Sequence, residues 1–222
     1  MFLLHCLLLV NTAAAQDAPE YRMEVGAGVG SVTYLGDYNG NLLSNMQPMG
    51  SLVAKYRMNP RMAWAVSIGY GSLKGDIRDA DTWYPEAERL PSTFKNTIID
   101  GGVRFEYNFW AYGTGRDYRG ARRVVPFIAA GLGMVHHSGE NSGVTLSLPI
   151  GAGVKWKITP RLNLTAEWAM RFTPSDYLDG RSDVYGIKSS GLFKNTDCYS
   201  AFQISVTYDL WVRCKTCNND RD

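Results

Sequence analysis

Cys214-Lys215-Thr216-Cys217 has the C-x-x-C spacing of a redox dithiol or of half a zinc site. A reactive dithiol needs a helix N-terminus or cationic neighbours that lower a thiol pKa, and no βαβ context surrounds this pair. Zinc would need two further ligands, and no histidine lies nearby. What remains for Cys214 and Cys217 is a disulfide, local or to a partner, or two plain tail cysteines. Cys198 is out of reach of Cys214, because extended chain between them spans about 50 Å, far beyond disulfide geometry. His136-His137-Ser138 with Glu140 puts bases, a hydroxyl and a carboxylate close together in sequence. General-base catalysis requires such groups to converge on one point. Neighbours in a short loop cannot all do so, so a solvated loop is expected, and no catalytic, cofactor or metal set.

Two sets of charges remain. Arg116, Arg119, Arg122 and Arg123 crowd the connection from Trp110 to Arg123, a basic stretch that suits an acidic protein surface or lipid headgroups, or is an ordinary basic turn. The other set is dispersed: Arg22, Glu24, Lys55, Asp100, Arg104, Glu106, Lys155, Glu167, Arg171 and Asp209. Each occupies an alternate position in a run whose other positions are apolar. Successive side chains of a strand project to opposite faces, so the elements that carry these charges are ribbons with one greasy and one polar face.

The clearest ribbons run from Leu146 to Trp156 and from Leu162 to Phe172. Leu162, Leu164, Ala166, Trp168, Met170 and Phe172 share one face, opposite Asn163, Thr165, Glu167 and Arg171. Similar ribbons cover Tyr21 to Thr33, about Pro48 to Tyr56 (with Arg57 following on the polar face), Trp64 to Ser72, Thr97 to Phe109, Val125 to about His136, and Phe202 to Leu210. The Val125 ribbon alternates least, being apolar on both faces. Asn59-Pro60-Arg61 and Thr159-Pro160 mark tight turns. Polar stretches from Gly36 to Asn45, Lys74 to Lys95, His137 to Gly143 and Thr173 to Asp197 read as loops.

Of the 222 residues, 45% are hydrophobic and 12% aromatic, and 23 are glycine. The net charge of +2 is too small to argue for nucleic acid. A mean hydropathy of −0.21 does not exclude a membrane barrel, because half of each strand faces a polar lumen. The apolar run from Phe2 to Val10, followed by Ala13-Ala14-Ala15, has the form of an export signal over residues 1–15. Nothing later reaches the roughly 18 to 20 unbroken apolar residues of a transmembrane helix, so any membrane span must be a barrel. A soluble lipocalin-like barrel would turn the same apolar face inward. The opposite face decides, since its mixed charges can pair in a narrow lumen, and Tyr56, Trp64, Tyr107, Phe109, Trp156, Tyr208 and Trp211 sit near strand ends as an interfacial belt would.

The expectation is an all-β chain: an eight-stranded antiparallel transmembrane β-barrel of the OmpA-like kind over residues 16–211, followed by a periplasmic tail, 212–222, that carries the C-x-x-C. Short periplasmic turns and long extracellular loops should alternate, the basic Trp110 to Arg123 connection departing from that rule. Eight strands leave room for side chains only, so the charges should form a packed plug rather than an ion path.

Several motifs together resemble one family. Tyr34-Leu35-Gly36-Asp37, Asn59-Pro60-Arg61 followed by Trp64, and Gly71-Ser72-Leu73-Lys74-Gly75-Asp76 are similar to segments of the PorG family of Bacteroidetes. So are Pro126-Phe127-Ile128-Ala129-Ala130-Gly131-Leu132-Gly133, Pro149-Ile150-Gly151-Ala152-Gly153-Val154-Lys155, and Glu167-Trp168 through Arg171 to Asp176-Tyr177-Leu178-Asp179. The resemblance implies a non-catalytic outer-membrane component of the type IX secretion system, an anchor for the periplasmic ring of PorK and PorN. On that reading Cys214 and Cys217, or the arginines, would meet the ring. A free-standing structural barrel or small-solute pore is the alternative.

Overall fold

The computed structural model describes residues 21–35, 44–76, 93–114, 120–138, 142–173 and 198–212. The expected signal, the chain beyond Val212 with Cys214 and Cys217, and Arg116, Arg119 and Glu140 lie outside these residues.

Alternation generates eight strands: β1 (Tyr21–Leu35), β2 (Gln47–Asn59), β3 (Met62–Asp76), β4 (Thr93–Asn108), β5 (Val124–Ser138), β6 (Gly143–Lys157), β7 (Leu162–Phe172) and β8 (Cys198–Val212). Each pairs antiparallel with its sequence neighbours, and β1 pairs with β8, which closes a transmembrane barrel. Closure leaves no unpaired sheet edge, the condition for placing a sheet in lipid. The short turns at Pro60–Arg61 and 158–161 share the end at which β1 begins and β8 finishes, which is the periplasmic end.

The apolar face of every ribbon is the outer one. Val29, Leu52, Val66, Ile68, Leu132, Val144, Leu146, Ile150, Trp168 and Ile204 are all exposed on the outside, Leu132 to 72%. Exposure on this scale is untenable in water and is what a bilayer covers. One polar group on this face is satisfied locally, where the indole of Trp168 donates to Ser200 Oγ at 2.8 Å. Tyr56, Trp64, Phe109, Trp110, Trp156, Tyr208 and Trp211 are exposed near the periplasmic strand ends, so the aromatic belt is concentrated there. Trp64 packs edge-on against Phe105 at 5.3 Å between centroids, and Tyr107 against Phe109 at 6.1 Å.

Glycines line the inner face where strands bend tightly. A Cβ at Gly26 would collide with the carbonyl of Val206 on β8, and one at Gly30 with that of Phe202. Only a residue without a side chain lets β1 and β8 curl this closely. Towards the extracellular end the lumen is closed by an apolar cluster of Val32, Tyr34, Met49, Leu73, Ile98, Val135, Tyr199 and Ala201.

The strands extend past the sequence ribbons at the loop end, which corrects one expectation. His136, His137 and Ser138 belong to β5 rather than to a solvated loop. His136 and Ser138 are exposed on the outer face, whereas His137 is buried inside the barrel.

Candidate functional site

Below the apolar cluster the lumen is filled by charge. Glu24, Lys55, Asp100, Arg104, Glu106, Lys155, Glu167, Arg171 and Asp209 are all buried there. Arg22 is the exception: it is exposed at the start of β1, outside the buried network, because it is one inward step nearer the rim than Glu24. Arg57 and Lys157 take the place that Arg22 was expected to hold. Both continue the polar face one step past the visible ribbons, whose last apolar residues are Tyr56 and Trp156, and that continuation was the available signal.

The charges fall into linked groups. Arg57 Nη2 reaches Glu24 Oε2 at 2.5 Å and Asp209 Oδ1 at 2.9 Å. Asp209 also pairs with Lys157 and accepts from Asn163 Nδ2 at 2.9 Å, and Glu24 accepts from the Thr207 hydroxyl. Higher up, Glu106 bridges Lys155 at 2.6 Å and Lys55 at 3.2 Å. Arg104 pairs with Glu167, and Arg171 with Asp100, which also accepts from the Tyr199 hydroxyl. Among the described residues six buried cations therefore meet five buried anions. Aromatic faces take up part of the surplus, with Lys155 4.6 Å and Lys55 5.8 Å from the centre of the Phe127 ring. This explains the apolar inner face of β5: Val125, Phe127 and Ala129 fill the lumen beneath the lysines.

The described parts of the β4–β5 connection, residues 109–114 and 120–123 of the long basic turn, fold back over the periplasmic mouth. Tyr112 is buried, and its hydroxyl donates to Asn163 Oδ1 at 2.8 Å. Burial pushes that hydroxyl well above its ordinary pKa, so it remains a donor. The Arg57 guanidinium stacks 5.1 Å from the ring centre. Backbone bonds pin the turn on three sides: Tyr112 N donates to Pro60 O at 3.0 Å, Lys157 N to Arg123 O at 2.8 Å, and Phe109 N to Pro126 O at 3.1 Å. Arg122 N donates to Ala111 O at 2.7 Å, while Gly113 N donates to Arg122 O at 3.1 Å. Arg122 and Arg123 remain exposed, Arg122 stacked 4.5 Å over Trp110 and Arg123 Nε bonded to Thr114 O at 2.6 Å. Sequence reasoning found the arginines but missed Tyr112, which belongs to no periodic run.

At the far end of β8, Cys198 donates weakly to Leu35 O at 3.5 Å, across the barrel's length from the tail cysteines' attachment point at Val212.

A closed eight-stranded membrane barrel with a plugged lumen is the class these features define. The chain belongs to the family described as a domain of unknown function, DUF6089, whose model matches residues 1–219. No curated protein matches it by sequence. Among solved structures it is similar to Neisserial surface protein A, at 16% identity and a TM-score of 0.53, over 85% of this chain and 97% of that one. Weaker likenesses are to Ail, the attachment invasion locus protein of Yersinia pestis (12% identity, TM-score 0.45, 86% and 99% covered), and to the N-terminal β-barrel domain of Pseudomonas aeruginosa OprF (14% identity, TM-score 0.42, 84% and 97% covered). These likenesses concern the fold.

Proposed function

We propose that this protein is a non-catalytic outer-membrane component of a type IX secretion system, of the PorG kind, and that it anchors the periplasmic ring of PorK and PorN. The motif resemblance over most of the chain is what supports this choice of machine. The observation that carries the mechanical part is the periplasmic cap. Arg122 and Arg123 are exposed on a turn held by backbone bonds to the β2–β3 turn, β5 and β6, a basic surface presented on a rigid frame. A lumen packed with ion pairs and roofed by apolar side chains speaks against the small-solute pore, because a permeant ion would have to displace buried, paired charges.

On this reading the barrel holds its place in the outer membrane by its apolar band and grips an acidic face of the ring through the basic turn. The test is co-purification from detergent-solubilised envelopes. The unaltered protein should bring down the ring proteins, and the variant Arg119→Glu/Arg122→Glu/Arg123→Glu should lose them while still migrating as a folded barrel in unheated gels. Equal recovery with the triple variant would remove the docking role of the turn. Failure of the unaltered protein to recover any ring protein would leave a free-standing structural barrel.

A further inference from the structure

The outer face at the extracellular end changes character in three steps. Tyr70 on β3 lies opposite Ile99 on β4, and Ile99 lies opposite His136 on β5. One outward step higher, Ser72, Thr97 and Ser138 form a row of hydroxyls across the same strands. One step higher again, Lys74 lies directly opposite Lys95. Like charges at directly opposed positions are destabilising, and Cβ atoms of such pairs are only about 5 Å apart. Neither lysine has an ion-pair partner among the described residues. The pair beyond is Asp76 opposite Thr93.

Immediately below lies a notch of about 520 Å³, lined by Val29, Pro48, Gly50, Tyr70, Thr97 and Lys95 among others. Its base exists because Gly50, which points outward from β2, lacks a side chain: a Cβ there would meet nothing within 4 Å. An apolar recess thus leads upward into hydroxyls and then into two facing lysines with no ion-pair partner among the described residues, within the depth range where the outer leaflet changes from hydrocarbon to headgroup.

We propose that this face is a binding site for a phosphorylated glycolipid of the outer leaflet. An acyl chain lies in the notch over Gly50, between Val29 and Tyr70. A phosphate sits between Lys74 and Lys95, relieving their repulsion, and sugar hydroxyls meet Ser72, Thr97, Ser138 and His136. The phosphate makes charge-assisted bonds to both ammonium groups, which is what the facing pair lacks among the described residues.

Native mass spectrometry of the full chain released from detergent, titrated with purified lipid A, tests the site. Retention of lipid A should exceed that of its dephosphorylated form and that of phosphatidylglycerol. Lys74→Gln/Lys95→Gln should weaken it about tenfold, Lys74→Arg/Lys95→Arg should retain it, and Gly50→Leu should weaken it with both lysines intact. Gel mobility of unheated samples confirms that each variant is folded, and Gly50→Leu reads the site independently if the glutamine variant does not fold. Equal retention of dephosphorylated lipid, equal retention of phosphatidylglycerol, or undiminished binding by Gly50→Leu would each overturn the proposal.

Discussion

Glu106 offers the sharpest test of the lumen. Its carboxylate is fully buried and holds two ammonium groups, Lys155 at 2.6 Å and Lys55 at 3.2 Å. Glu106→Gln preserves volume and removes the charge, leaving both lysines buried around a neutral amide. Removing one partner of a buried pair costs about 3–5 kcal/mol, because the remaining charge is stranded in low dielectric. Here two charges share the loss and also repel each other, which places the cost at the upper part of that range. Total stabilities of about 5–15 kcal/mol make this a large fraction. Urea titration in lipid vesicles, followed by tryptophan fluorescence and by mobility of unheated samples, should show a lower midpoint at unchanged slope. Lys155→Met alone should cost less, since Glu106 keeps Lys55. Glu106→Gln combined with Lys155→Met should recover much of the loss, because one cation is gone and the methionine packs against Phe127. A Glu106→Gln midpoint equal to the parent's would mean that the lumen is wet and screens its charges, and the packed-plug argument would fall with it.

Two other perturbations address the cap and the closure of the barrel. Tyr112→Phe removes one hydrogen bond to Asn163 and should cost about 1 kcal/mol, whereas Tyr112→Ala removes the pin of the β4–β5 turn and should speed tryptic cleavage after Arg122 and Arg123; a cleavage rate equal to the parent's would show that the turn is held without it. Gly30→Val directs a branched side chain into the Phe202 carbonyl and should abolish the folded gel form, while Gly50→Ala, facing open space, should leave it intact. Normal folding of Gly30→Val would refute the close approach of β1 and β8.

Legibility in the sequence follows the contrast between the two faces of each strand. The bounds of β7 are those of its apolar and polar alternation, Leu162 to Phe172, because both its faces are unambiguous in lipid and lumen. At the extracellular end the outer face itself turns polar, through Ser72 and Lys74 on β3, Thr97 and Lys95 on β4 and Ser138 on β5, so the contrast vanishes while hydrogen bonding continues. That is why β3, β4 and β5 outrun the readable ribbons and why the sequence places His137 in a loop. Inside, Glu24 was legible as a lumen residue but Arg22 was not separable from it: alternation assigns a face, and depth assigns burial. Tyr112 left no trace, because its partners Asn163, Arg57 and Pro60 are distant in sequence and no local period links them.

The plug and the cap together constrain what such a barrel can do. With the lumen committed to Arg57, Asp209, Lys157 and Glu106, chemistry and transport through the interior would require breaking pairs that stabilise the fold. On the proposed reading function lies at the surfaces, and the two ends of the barrel differ. At the periplasmic end the segment that bears Arg122 and Arg123 is anchored from below by Tyr112 and from the sides by Pro60 and Lys157, so the docking we propose would cost it little conformational freedom. A basic loop of the same composition without that anchor would steer an acidic partner equally well but would pay an ordering cost on every encounter. The buried ion-pair network therefore contributes beyond filling space: by holding Arg57 against Tyr112 and Asn163 against its hydroxyl, it couples the rigidity of the lumen to the geometry of the surface beneath it.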